Sequence, residues 1–496
     1  MLSKLLLGAL VSAAAVTAKS QAECKCCSVL NKDPTLKGKV YSPEDTRYED
    51  RLDTYYSANS KLSPWCMVLP ESAEDVSTIV KLFNKYQCPF GMRSGSHTAF
   101  KGGNAIEDGV TVDFSYMNAT TYDENTKIAS VQPGSTWGES YDALDEYGVV
   151  NIGGRASVVG VGGFTTGGGY SFHSQSRGLA CDAVSNFEVV LADGSIVNAN
   201  KEENPDLFRS IKGGTGNFGF VTKIDQPVYE SNELWAGFTF FDFADRDKAF
   251  DAFTQFIVDM EEDIASQVIN SFQWTGTELT VITVMSNVDA IPDAPIFENY
   301  RQIPVTSSTT EIGKAAKLVP QFTGATPLGI FPQWSTGLMK NDKAALTFMA
   351  DKLESLVEKM QAASPDSNFE IILQFQPVTP RMVRIGAENG GNALGLEDRV
   401  TDEPTIMWMV LLTSETAEEQ ELLAPIYFEY RDEIEAFTKE TGVDLDWQFL
   451  NYANGNQDPL RSYGEEAVEF MRATSEKYDP EGVFQKLRKT GFHIPQ

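Results

Sequence analysis

The hydrophobic positions change period along the chain. Behind Ser72-Ala73-Glu74-Asp75, residues Val76, Ile79, Val80 and Phe83 recur at i, i+3, i+4 and i+7, which predicts a capped helix with one apolar stripe. Cys88-Pro89-Phe90 resets the chain to extended structure, and the run Arg93-Ser94-Gly95-Ser96-His97-Thr98 follows as a loop. GVTVDF, from Gly109 to Phe114, alternates with period two, and Ile128 to Val131 is a second short strand. Trp137 to Tyr147 reads as a helix, and Asn204-Pro205 predicts a cap with proline at the first helical position of DLFRSIK. The first 230 or so residues thus mix short strands and helices. Beyond about residue 235, strand-like LTVITVMS and EIILQFQP alternate with long charged helices such as DKAALTFMADKLESLVEKMQAA. That texture predicts a second domain, an antiparallel sheet backed by helices. The tail YDPEGVFQKLRKTGFHI returns to short, turn-rich structure. No repeat or low-complexity linker intervenes, so the domains are expected to pack together.

Length agrees with this division, because single cores stop growing near about 250–300 residues and the chain has 496. A formal charge of −30, from 70 acidic against 40 basic residues, repels nucleic acid and anionic membranes and argues against both as partners. At the N-terminus, MLSKLLLGALVSAAAVTAKS has one lysine, an apolar stretch too short to span a bilayer, and then small residues. It predicts a signal peptide over residues 1–18, with Ala22 a second cleavage position, and hence a secreted protein. Asn118-Ala119-Thr120 is then a glycosylation acceptor. Cys24, Cys26, Cys27, Cys66, Cys88 and Cys181 lack the histidines or second cysteine pair of a zinc site, so disulfides are expected and no metal. Their connectivity stays open; Cys66 with Cys88 would staple the helix between them.

Three glycine-rich stretches carry candidate chemistry. Gly214-Thr215-Gly216-Asn217-Phe218-Gly219 matches GxGxxG, but a dinucleotide fingerprint follows a strand and opens a helix. Here a helix precedes and a strand follows, so the match reads as a tight turn. Gly154 to Ser174 carries seven glycines, a density that lets backbone approach a ligand closely. RSGSHT repeats that logic on a smaller scale and holds His97, one of only three histidines. A hydrolase is disfavoured, because there is no GxSxG elbow and the histidines are too few and badly placed for a triad.

Taken in order, PWCMVLPESAEDVSTIVKLFNK, CPFGMRSGSHTAFKGG, GVTVDFSYMN, VQPGSTWGESYDAL, VVGVGGFTTGGGYS, RGLACDAVSNFEVVLADGSIV and LFRSIKGGTGNFGFVTK resemble the flavin domain of the berberine bridge enzyme-like oxidoreductases. These belong to the vanillyl-alcohol oxidase superfamily. WQFLNYANGNQDPLRSYG and KYDPEGVFQKL resemble the family's closing segments, and the likeness comes closest to its secreted fungal branch. The resemblance implies an α+β, two-domain PCMH-type fold: an FAD-binding domain over 24–235, a substrate domain over 236–440, and a segment over 441–496 returning to the first.

It also implies roles. The loop Arg93, Ser94, Gly95, Ser96, His97 and Thr98 would wrap the FAD pyrophosphate, with His97 bonded covalently to the flavin 8α-methyl. Ser96 stands where relatives have a second glycine. Ala156 replaces the cysteine that anchors the flavin a second time in many relatives, so a single link is expected. Gly160, Gly162 and Gly163 would lie against the flavin, and Val159 matches a position that influences access of oxygen to it. Gly216, Asn217, Asn451 and Tyr452 complete the expected cofactor contacts. Tyr170 and Tyr452 are the candidate catalytic tyrosines, since Phe449 occupies a place where many relatives carry one. Gln374, Gln376 and Trp408 are weaker pocket candidates, while His173, His493 and Cys181 match no cofactor position. The implied activity is oxidation of a carbinol carbon in a small molecule, a carbohydrate or secondary metabolite, with O2 reduced to hydrogen peroxide. A dehydrogenase or oxidative cyclase of the family, and a flavin-retaining protein without turnover, are the alternatives.

Overall fold

The computed structural model describes residues 25–230, 233–325 and 327–496. The expected signal peptide and Cys24 lie outside the described residues. In a four-stranded sheet, Cys66–Val68 and Phe90–Arg93 run parallel on either side of Val110–Asp113, with Val40–Tyr41 antiparallel at the edge. Helix Ala73–Tyr86 makes the crossover between the parallel strands. Ser72 Oγ accepts from the Asp75 amide at 3.2 Å, and Val76, Ile79, Val80 and Phe83 are fully buried on the face their spacing defines. A five-stranded antiparallel sheet follows, in the order Thr120–Asp123, Ile128–Val131, Phe220–Pro227, Asn186–Val190, Ile196–Ala199. Helix Trp137–Asp145 starts from a full capping box between Thr136 and Glu139. Helix Pro205–Gly214 has its proline in the first turn, but Asn204 does not cap it. Asn204 sits in the left-handed region at φ +51°, and its Nδ2 donates to the Asn198 carbonyl at 2.7 Å.

The second half is one antiparallel sheet of eight strands. Its path runs Val305–Ser308, Glu233–Asp242, Leu279–Asn287, Ser266–Trp274, Glu370–Val378, Thr405–Ser414, Phe331–Lys340, and Glu311–Lys314 also pairs with Glu233–Asp242. Helices Arg246–Asp259, Lys343–Ala363 and Ala417–Glu440 back one face. The Phe250 and Phe272 rings meet at 4.9 Å, and the Tyr427 hydroxyl donates to Val410 at 3.0 Å. Because side chains alternate along a strand, the other face presents Ile372 and Gln374, paired across the ladder with Leu411 and Met409, with Trp334 opposite Leu411 in turn. The C-terminal tail then crosses back to the first sheet, where the Phe90 amide donates to Leu487 and the Lys489 amide to Phe90, each at 2.9 Å.

The disulfides settle the open connectivity, and Cys66 and Cys88 do not pair with each other. Cys26 is bonded to Cys88 and Cys27 to Cys66, with Cα separations of 5.8 and 6.0 Å. Cys66 pairs in register with Val110 from one side, while Phe90, two residues beyond Cys88, pairs with Val110 from the other. Cysteines two strand spacings apart are about 9–10 Å distant, beyond the reach of a bridge. The adjacent cysteines of the helical segment 25–32 reach one strand each instead. Cys181 is free and buried.

Candidate active site

The two glycine loops touch backbone to backbone. A Cβ added to Gly95 would lie 2.2 Å from Gly160 Cα, and one added to Gly162 would lie 2.9 Å from Ser94 Oγ. Gly163 differs: a Cβ there meets nothing within 4 Å, so its face opens onto a cavity of about 430 Å³. Ser96 lies in the left-handed region that favours glycine, at φ +58°. Its Oγ donates to the Thr54 carbonyl at 2.9 Å and accepts from Arg93 Nη2 at 3.2 Å, two bonds a glycine could not make. Arg93 turns its guanidinium away from the cavity into a fully buried pairing with Asp113 at 3.3 Å, and stacks over Tyr55. Arg93 and Arg51 together hold the Asp113 carboxyl below its ordinary range, against the upward push of burial.

His97 stacks on Tyr56 with ring centroids 3.9 Å apart and packs edge-on to Trp334. Burial pushes its pKa down to about 4, so the imidazole is neutral at pH 7. Its Nε2 is buried and hydrogen-bonds to no described residue. Across the cavity, Asn451 Nδ2 donates to the Phe164 carbonyl at 3.1 Å and its Oδ1 is likewise buried without a protein partner. The close approach of Gly167 permits this, since a Cβ there would sit 2.5 Å from that oxygen. Thr98, Ala156, Val159 and Gly216 also line the cavity. Asn217 does not. It lies behind the wall, accepting from Arg488 Nη2 at 2.6 Å and donating to Gly214 and Phe492, and so ties its turn to the tail.

The tyrosines separate. Tyr170 donates its hydroxyl proton to the Pro377 carbonyl at 2.7 Å, with Gln267 Oε1 at 3.0 Å, and burial raises its pKa. Its ring forms wall, and its proton is held. The Tyr452 hydroxyl instead accepts from Gln376 Nε2 and from Arg155 Nη2, each at 3.2 Å. Arg155 Nη2 also donates to Gln376 Oε1 at 2.6 Å, closing a triangle of three side chains. Gln374 lines the cavity, whereas Trp408 is core, packed on Gly337. Phe449 packs edge-on to Tyr452 at 5.0 Å. His173 and His493 are half-buried, burial lowers the pKa of both, and His493 Nδ1 lies 3.3 Å from Arg488 Nη2.

Sequence reasoning passed over Arg155, Tyr56 and Trp334. Arg155 carried a usable signal, as the lone charged residue inside the seven-glycine run.

Comparison with known proteins agrees with this geometry. The FAD binding domain family matches residues 64–200. The chain is 34% identical over 475 residues to the FAD-dependent monooxygenase sdcF of Emericella nidulans, covering 95% of this chain and 98% of that protein. Among solved structures, xylooligosaccharide oxidase from Myceliophthora thermophila superposes with a TM-score of 0.77 at 18% identity, covering 96% of this chain and all of that one. The Physcomitrella patens BBE-like 1 structure does so with a TM-score of 0.73 at 17% identity, over 95% and 99%. The two solved structures share the fold. The chain carries an FAD binding domain and belongs to the same family as the Emericella protein, and it is an FAD-dependent oxidoreductase. The residues present fit that cofactor: a glycine cradle a Cβ would fill, and two buried polar atoms facing one cavity without protein partners.

Proposed function

We propose that this protein is a secreted oxidase of an apolar small molecule, of the secondary-metabolite kind, with FAD held through His97 alone. The observation that carries the reading is one cavity lined by the glycine cradle, by a neutral His97 whose buried Nε2 bonds to no described residue, and by Arg155 and Tyr452, both of which Gln376 holds. Bound FAD supplies a two-electron acceptor that takes hydride from carbon and passes the electrons to O2. His97, kept unprotonated by burial, has the nucleophilic nitrogen that covalent attachment needs, and Ala156 offers no second nucleophile. Tyr452, once ionised with the donors from Arg155 and Gln376 on its oxygen, takes the substrate hydroxyl proton and returns to the neutral phenol. Tyr170, whose hydroxyl is spent on Pro377, positions the wall. The sheet side is built from Phe238, Ile269, Val284, Trp334, Ile372 and Leu411, which favours an apolar substrate over a carbohydrate. Two disulfides and the N-terminal sequence support secretion.

Acid precipitation tests the attachment: flavin colour stays with the pellet in wild type and leaves it in His97→Ala. Tyr452→Phe retains flavin and loses about 10²-fold or more in kcat. The name of the Emericella relative favours a second reading, insertion of one oxygen atom into substrate. Turnover under 18O2 separates them: an oxidase yields one peroxide per turnover and unlabelled product, a monooxygenase labelled product.

A further inference from the structure

The cavity is bordered by three arginines, and two of them are spent. Arg93 is paired with Asp113. Arg488 donates to the backbone carbonyls of Phe484, Thr490 and Phe492 and to Asn217. Arg155 is different. Only its Nη2 is engaged, by the neutral acceptors Gln376 Oε1 and Tyr452 Oη, and its guanidinium carbon lies 4.8 Å from the Tyr170 ring centroid. Its Nε and Nη1 donate to no described residue, and no described carboxylate pairs with it. It is also placed where the glycine loop meets the eight-stranded sheet, on a cavity that the apolar Phe238 and Ile372 line as well.

A half-buried cation without a counter-charge is costly against an apolar wall, and an anion that completes the pairing recovers that cost. The free edge of a guanidinium is a planar two-donor fork that matches a delocalised oxyanion. We infer that Arg155 is the substrate-recognition residue for an oxyanion, so that the substrate is an apolar molecule carrying a carboxylate or an acidic enol. This rests on the reading above only in taking the cavity as the substrate site. It goes beyond it by assigning the substrate's charge, which the protein's overall −30 does not favour and a local cation must therefore select.

The test titrates purified protein, flavin loaded as isolated, with biphenyl-4-carboxylate and with the neutral, similarly shaped biphenyl-4-carboxamide, read by calorimetry. Wild type is expected to bind the carboxylate about tenfold or more tightly than the amide, equivalent to about 1.4 kcal/mol. Arg155→Met should abolish the difference while keeping amide affinity within about twofold, and Arg155→Lys should keep part of the preference, as a point charge without the fork. Failure of wild type to prefer the carboxylate, including failure to bind either probe, overturns the inference. So does a preference that survives Arg155→Met, or an Arg155→Met protein that loses flavin instead of losing discrimination. Because calorimetry does not need turnover, a charge preference in a protein that oxidises nothing would sink the oxidase reading and leave this one standing. Turnover without the preference would do the reverse.

Discussion

The two walls of the cavity are built on opposite principles. The cofactor wall comes from two short contiguous runs, 93–98 and 154–170, in which backbone lies on backbone and any side chain at Gly95 or Gly160 collides. The sheet wall comes from alternate residues of strands far apart in the chain, such as Trp334, Ile372 and Leu411, and it meets the glycine run where Arg155 bonds to Gln376 across 221 positions and to Tyr452 across 297. The first wall tolerates almost no change because its contacts are main-chain atoms that cannot move aside. The second is side-chain packing, which absorbs volume-conserving exchange. A family can therefore keep one cofactor while varying what it oxidises, by altering only the second wall.

The covalent staples fall on the same side of the division. Both disulfides tie the helical segment 25–32 to the four-stranded sheet, and none reaches the eight-stranded one. Cys26→Ser with Cys88→Ser opens a loop of 62 residues and should cost about 4 kcal/mol. Hydrogen exchange should then quicken in Cys66–Val68 and Phe90–Arg93 before Glu370–Val378 and Thr405–Ser414. Equal loosening of both sheets would show that the halves unfold as one and break the comparison.

Within the site, Gly95→Ala should cost about 3 kcal/mol and abolish flavin retention, because the obstructing atoms are Gly160 backbone. Gly163→Ala, whose Cβ meets no protein atom within 4 Å, should change the stability of the flavin-free chain by less than about 0.5 kcal/mol. On the sheet wall, Met409→Leu should cost under about 1.5 kcal/mol. Thermal unfolding of the three variants beside wild type, with flavin absorbance per protein, checks the ordering.

The same division explains what the sequence made legible. His97, Gly160, Gly162 and Gly163 could be read because their chemistry is encoded within a dozen neighbouring letters. The apolar stripe of Ala73–Tyr86 and the strand Ile128–Val131 were legible for the same local reason. Tyr452 and Gln376 could be named singly as candidates, but their meeting with Arg155 depends on the register of the eight-stranded sheet, which no local run encodes. Trp408 was a pocket candidate, yet it points to the opposite face from Met409 and Leu411, a parity fixed by the pleat. That cysteines would pair was legible, but not their connectivity, because helix-flanking cysteines look adjacent in a string while the parallel crossover sends them to opposite sides of Val110–Asp113.

All three histidines lie outside residues 233–440, so any titration of histidine belongs to the cofactor half. His173 gives the cleanest reading, since it follows the glycine run and touches no catalytic group. Burial, reinforced by Arg177, lowers its pKa to about 4. An unfolded histidine titrates near about 6.5, so between roughly pH 6.5 and 4 the unfolded chain binds a proton at this position that the folded chain refuses. Stability from this group is thus complete above about pH 6.5 and is lost as pH falls toward 4, at no more than about 1.4 kcal/mol per pH unit. His173→Gln removes the titration and leaves every carboxylate in place. The melting temperatures of the pair should differ most at pH 7, in favour of wild type, and converge as the buffer is taken to pH 4.5. A gap that stays constant over that range would mean that His173 accepts its proton in the folded state. The glycine-rich region around it would then be open to water, not the closed packing that sets this wall apart from the other.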